Sequence, residues 1–102
     1  MKLGSAIQNC RQIRGMSKAE LARQIGKSRS YINHLENDDR QPGLTVLKEL
    51  ASKLQIPLSV LILIGSEKIS LEGFSEEDLN SLASTLEELI RSAFPLQSEL
   101  EF

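Results

Sequence analysis

Apolar residues recur along most of this chain at spacings of three and four, the period of helices with one buried face. Leu3, Ala6, Ile7, Cys10 and Ile13 open the series and predict a helix over residues 3–14 that Gly15 closes. Ser17, with Glu20 three residues on, has the spacing of a capping box and starts a second helix, whose inward side is Leu21, Ala22 and Ile25. Gly26 follows where a positive φ would end it. Ser28 can cap a third helix, in which Tyr31, Ile32 and Leu35 cluster on one side at roughly 100° per residue.

After a loop over residues 37–43, stopped from continuing the helix by Pro42-Gly43, the stripe Leu44, Leu47, Leu50, Ala51 and Leu54 predicts a fourth helix packed inward. Pro57 opens a fifth through Leu58, Leu61, Ile62 and Ile64. Residues 60–64 are apolar all round, which makes them a candidate subunit contact. Residues 65–74 read as an extended connector. Ser75 then caps a long helix with Glu76, Glu77 and Asp78 in its first turn, where the helix dipole favours acids. Its stripe is Leu79, Leu82, Leu86, Leu89 and Ala93, widened by Ala83 and Ile90, and Pro95 ends it before the tail at residues 96–102. The stripe can pair with a copy of itself, fold back on its own bundle or dock another protein; at two heptads it is too short to establish a coiled coil. The organisation expected is therefore a bundle over residues 1–64, a connector over 65–74, and an acidic helix and tail over 75–102 whose Leu79, Leu82, Leu86, Leu89 and Ile90 are the candidate dimerisation residues.

Two short helices joined by a glycine-containing turn make a helix-turn-helix. The wheel of the third helix leaves Arg29, Ser30, Asn33 and His34 facing out, hydrogen-bonding side chains of the kind that read base edges in a major groove, although a polar outer face is also what any solvated helix shows. The stretch AELARQIGKSRSYINHLEN resembles the Cro/phage-repressor (Xre-like) helix-turn-helix family at Ala22, Gly26, Ile32 and Leu35-Glu36-Asn37, and the resemblance extends over residues 3–64. It implies an all-α, lambda-repressor-like five-helix bundle, here with an added C-terminal amphipathic helix. It also implies DNA contacts from Lys18, Arg29, Ser30 and His34, and an ion pair between Arg11 and Glu36. The chain departs from the family at Asp38-Asp39, where a glycine and a basic residue are usual.

Charge changes the picture only when the chain is divided. The net charge of −2 argues against a nucleic-acid partner, but residues 1–64 hold ten Lys/Arg against five Asp/Glu, giving +5, and residues 65–102 hold two against nine, giving −7. The basic part can attract phosphate, for which Lys18, Lys27, Ser28, Asn37, Arg40 and Gln41 are the candidates. Cys10 stands alone in an apolar series, so it forms no internal disulfide and belongs to the core. His34 has no nucleophile motif around it, and neither metal nor cofactor is implied; no phosphate-binding glycine loop or paired-carboxylate cleft suggests an enzyme. No run approaches the ~20 apolar residues of a membrane span, and the expected compartment is the cytoplasm. The sequence thus reads as a dimeric, sequence-specific regulator of transcription on double-stranded DNA, most simply a repressor on a palindromic site. The other reading is a protein-interaction module, such as an antitoxin or adaptor, whose C-terminal helix docks a different protein.

Overall fold

The computed structural model describes residues 2–93, and these form six helices: α1 Gly4–Ile13, α2 Lys18–Gln24, α3 Arg29–Glu36, α4 Leu44–Lys53, α5 Leu58–Ser66 and α6 Glu76–Ala93. Among the described residues there is no strand, and the architecture is all-α. The expectations for Pro95 and residues 96–102 lie outside the described residues.

Local chemistry sets the helix starts. Ser17 Oγ accepts from Glu20 N at 3.0 Å and Ser28 Oγ from Tyr31 N at 3.1 Å, each serine in extended backbone just before its helix. The reciprocal exchange of a capping box forms at Ser75, whose Oγ accepts from Asp78 N at 3.1 Å while Asp78 Oδ2 accepts from Ser75 N at 3.0 Å. Gly26, at φ 69°, turns the chain between α2 and α3.

Helices α1 to α5 enclose a core centred on Ile7, Leu21, Ile32, Leu35, Leu50, Leu54 and Leu61, all at most 1% exposed. Cys10 lies within it, and burial pushes its thiol from 9.0 up to about 11 despite the opposing charge of Arg14. The thiol therefore stays protonated and packs as a small apolar group.

Three expectations change. Leu44 is 59% exposed, because it opens α4 and projects beyond the inward contact made by Leu50, Ala51 and Leu54. The connector is not extended from its start: α5 runs on through Gly65 to Ser66, and a methyl at Gly65 would overlap Leu3 Cδ2, so a residue without a side chain lets α5 close on α1. Finally, the dimerisation set changes: α6 takes the fold-back course, one of the three open to its stripe, and packs on α1 and α5. Leu79 is fully buried and Ala83 nearly so, Leu82 and Leu86 pack partly against the core, Ile90 is half-buried and Leu89 is 60% exposed. Leu79 is consumed by the chain's own core and cannot also face a second copy, which corrects its place among the dimerisation residues.

Arg14 fastens this arrangement. Its guanidinium donates to the carbonyls of Leu54 (2.8 Å) and Gln55 (2.9 Å) at the end of α4, and to Asn80 Oδ1 (2.9 Å) on α6, with Glu76 Oε1 at 3.4 Å. Another tight contact joins α1 to the end of α3. A Cβ on Gly4 would lie 2.8 Å from Asp38 Oδ1 and would overlap the Glu36 carbonyl oxygen, which is backbone and cannot swing aside. Gly4→Ala is expected to lower stability by about 1–3 kcal/mol in urea denaturation. An unchanged midpoint would mean that α1 and the end of α3 do not approach this closely.

Candidate nucleic-acid interface

The back of α3 is anchored by Ile32 and Leu35, 0% and 1% exposed, while Arg29, Ser30 and His34 face solvent and Asn33 is half-buried. The outer face predicted from the wheel is thus presented by a helix held from behind.

The flanking residues converge on it. Lys18, the first residue of α2, reaches across and donates from Nζ to Asn33 Oδ1 at 2.8 Å. Lys27, before α3, and Arg40, after it, lie over the Tyr31 ring, with Nζ 5.4 Å and Cζ 5.0 Å from its centroid. Ser28 and Asn37 are the caps at the two ends of α3, and both are exposed, as is Gln41. His34 Nδ1 lies 3.3 Å from Asp39 Oδ2, so one of the two loop acids stands at the face itself. Tyr31, which the sequence pattern assigns to the core, is half-buried and gathers the two cations. Lys27 lies outside α3, before its Ser28 cap, so helical spacing does not place it over Tyr31, and nothing in the sequence links Arg40 to the ring either.

Asp38 adopts the left-handed conformation, φ 60°, which glycine takes most readily. Its carboxylate compensates by accepting from Gly4 N at 2.9 Å. It thereby caps α1, whose N-cap residue Leu3 supplies no side-chain bond, and sets a negative charge at the positive end of that helix.

Beneath the face, Arg11 and Glu36 form a bidentate pair, Nε to Oε2 at 2.6 Å and Nη2 to Oε1 at 3.0 Å, with each residue 7% exposed. The remaining guanidinium nitrogen, Nη1, donates to Met16 O at 2.8 Å, in the link between α1 and α2. One arginine therefore ties the end of α3 both to α1 and to the entry of α2.

Among the described residues no group of three or more His, Cys, Asp or Glu could hold a metal ion, and no helix is long and apolar enough to cross a membrane. What the site offers is a row of hydrogen-bonding side chains with cations at its edges, an arrangement for contacting polyanions.

The comparisons with known proteins agree with this geometry. The helix-turn-helix family model matches residues 7–61, more than half of the chain. The immunity repressor protein of Bacillus phage phi105 is 30% identical over 93 residues, covering 87% of this chain and 62% of that protein. The chain thus spans about three fifths of the length of this relative. Among solved structures, Bacillus thuringiensis PlcR, in a complex with the peptide PapR7 and DNA, is 33% identical with a TM-score of 0.55, over 60% of this chain and 21% of that one. The complex of SinR protein with SinI protein matches at 25% identity and a TM-score of 0.56, over 90% of this chain and 78% of the other. With the matched model spanning the core, the turn and the outward face just described, the chain belongs to the Cro/C1-type (Xre-like) helix-turn-helix family.

Proposed function

We propose that this chain is a sequence-specific transcriptional repressor that binds double-stranded DNA, reads a palindromic operator as a homodimer and works in the cytoplasm without metal, cofactor or enzymatic activity. The observation that carries the reading is the outer face of α3, polar in front, anchored behind by Ile32 and Leu35, and bordered by Lys18, Lys27 and Arg40. The named relative is an immunity repressor, and the PlcR match comes from a complex containing DNA; both support the same reading.

In this scheme Lys27, Ser28, Asn37, Arg40 and Gln41 hold phosphates and set the register of α3 without choosing sequence, and Lys18 stands where the phosphate contacts meet the base-reading row, bonded to Asn33. Arg29 offers two donors to a guanine edge, and Ser30, Asn33 and His34 complete the base-reading row. One such helix spans few base pairs, so affinity and specificity come from pairing two copies, with the recognition helices about 34 Å apart on successive turns of the groove. With Leu79 in the core, the surface left for pairing is the outer part of α6, Leu82, Leu86, Leu89 and Ile90, together with the half-buried Ile62 and Leu63 of α5. The same exposed Leu89 favours a second reading, in which α6 docks a different protein.

Selection of bound sequences from random duplexes, at a fixed salt concentration, tests the proposal. The full chain is expected to enrich a palindrome with half-sites about one helical turn apart. Arg29→Ala is expected to weaken binding to the selected site by about 1–3 kcal/mol and to relax preference at one base pair per half-site. Equal affinity and an unchanged preference would remove Arg29 from the reading row.

A further inference from the structure

Asparagine reads adenine by using its amide both ways, accepting from N6–H and donating to N7. In this protein the accepting end of Asn33 is already engaged. Lys18 has three donors and no acceptor, so the Asn33 atom facing it at 2.8 Å must be the carbonyl oxygen, whichever way the amide is otherwise assigned. We propose that Lys18 and Asn33 act as one donor-only unit and select guanine, not adenine, at the base pair they face. This inference rests on the DNA-reading function proposed above.

The chemistry follows from what the pair leaves available. Asn33 keeps both Nδ2 hydrogens, and Lys18 keeps two of its three once the bond to Oδ1 is made. The second lone pair of Oδ1 remains, but an adenine N6 amino group approaching it would bring its own positive hydrogens beside an ammonium ion. Guanine presents O6 and N7, two acceptors side by side, and meets only donors. Placement supports the assignment. Asn33 is half-buried while its neighbours Ser30 and His34 are exposed, and Lys18 stands at the first position of α2, where Ser17 caps the helix and holds its start in place. Lys18 is then a positioning residue for Asn33 as well as a base contact. It changes which base Asn33 prefers, a role that contact with phosphate alone would not give it.

The test is selection from random duplexes with the full chain, Lys18→Met and Asn33→Ala, each variant first shown to keep its helical circular dichroism and melting temperature. For the full chain, the expected result is an enriched site with guanine favoured over adenine by about tenfold at one position in each half-site. Lys18→Met, which keeps the apolar stem and frees Oδ1, is expected to move that same position toward adenine. Asn33→Ala is expected to flatten the preference there. An enriched site whose preferences are unchanged in Lys18→Met, with binding weakened uniformly, would make Lys18 a phosphate contact alone and overturn the proposal. So would effects of the two substitutions at different base pairs. Failure of the full chain itself to enrich any sequence would strike the DNA-reading function, and this inference with it.

Discussion

Arg11→Met is expected to destabilise the protein by about 3–5 kcal/mol, Glu36→Gln by somewhat less, and the double substitution by no more than the worse single one. The ordering follows from what each change leaves behind. Removing Arg11 leaves the Glu36 carboxylate 7% exposed without its two donors, and it releases the Met16 carbonyl as well. Removing the charge of Glu36 leaves a glutamine oxygen that still accepts one bond, while Arg11 keeps its bond to Met16. A small domain has about 5–15 kcal/mol of stability in all, so either change consumes a large part of it. Urea denaturation of the four proteins measures the cycle, and losses that simply add would mean the two side chains do not depend on each other. Because the pair secures the last turn of α3, the destabilised proteins should also lose DNA affinity at temperatures where they remain folded.

Leu79→Ala is expected to cost about 2–5 kcal/mol, whereas Leu89→Ala, ten residues further along the same apolar stripe, changes the stability of the single chain, measured at concentrations too low for pairing, by less than about 0.5 kcal/mol. Leu79 is fully buried against α1 and α5, and truncation leaves a cavity as well as lost contact; Leu89 is 60% exposed and has little to lose. The loss at Leu79 should be the same at low and high protein concentration, since the contact lies within one chain. A melting temperature for Leu79→Ala that rises with concentration until it meets the parent would assign that leucine to a contact between copies instead.

How much of this was legible beforehand depended on the range of the interaction. The starts of α2 and α3 could be read because a serine cap acts on an amide three residues away, and the inward faces of Ile32 and Leu35 because helical period alone places them. The stripe of α6 was legible as a stripe but not as to its cover, since period states which side is apolar and not what meets it. Leu44 was misplaced because it continues the α4 period into a first turn with nothing opposite. At the site, the outward set Arg29, Ser30, Asn33 and His34 came from the wheel, and the partnership of Arg11 with Glu36, twenty-five positions apart, came only from family resemblance. Asn33 being engaged by Lys18, and Asp38 capping α1 from a left-handed conformation, depend on how helices cross; no local rule encodes them.

The Tyr31 ring has a consequence for binding rates. Lys27 and Arg40 reach it from opposite ends of α3, and each is a long side chain that loses up to about 2 kcal/mol of rotamer freedom when held still. Where the ring already restrains them, part of that loss falls on folding of the free protein, leaving less to be lost on encounter with a phosphate backbone. The protein meets its target with these two cations partly arranged, and a contact arranged in advance shows itself chiefly in slower departure from the bound state.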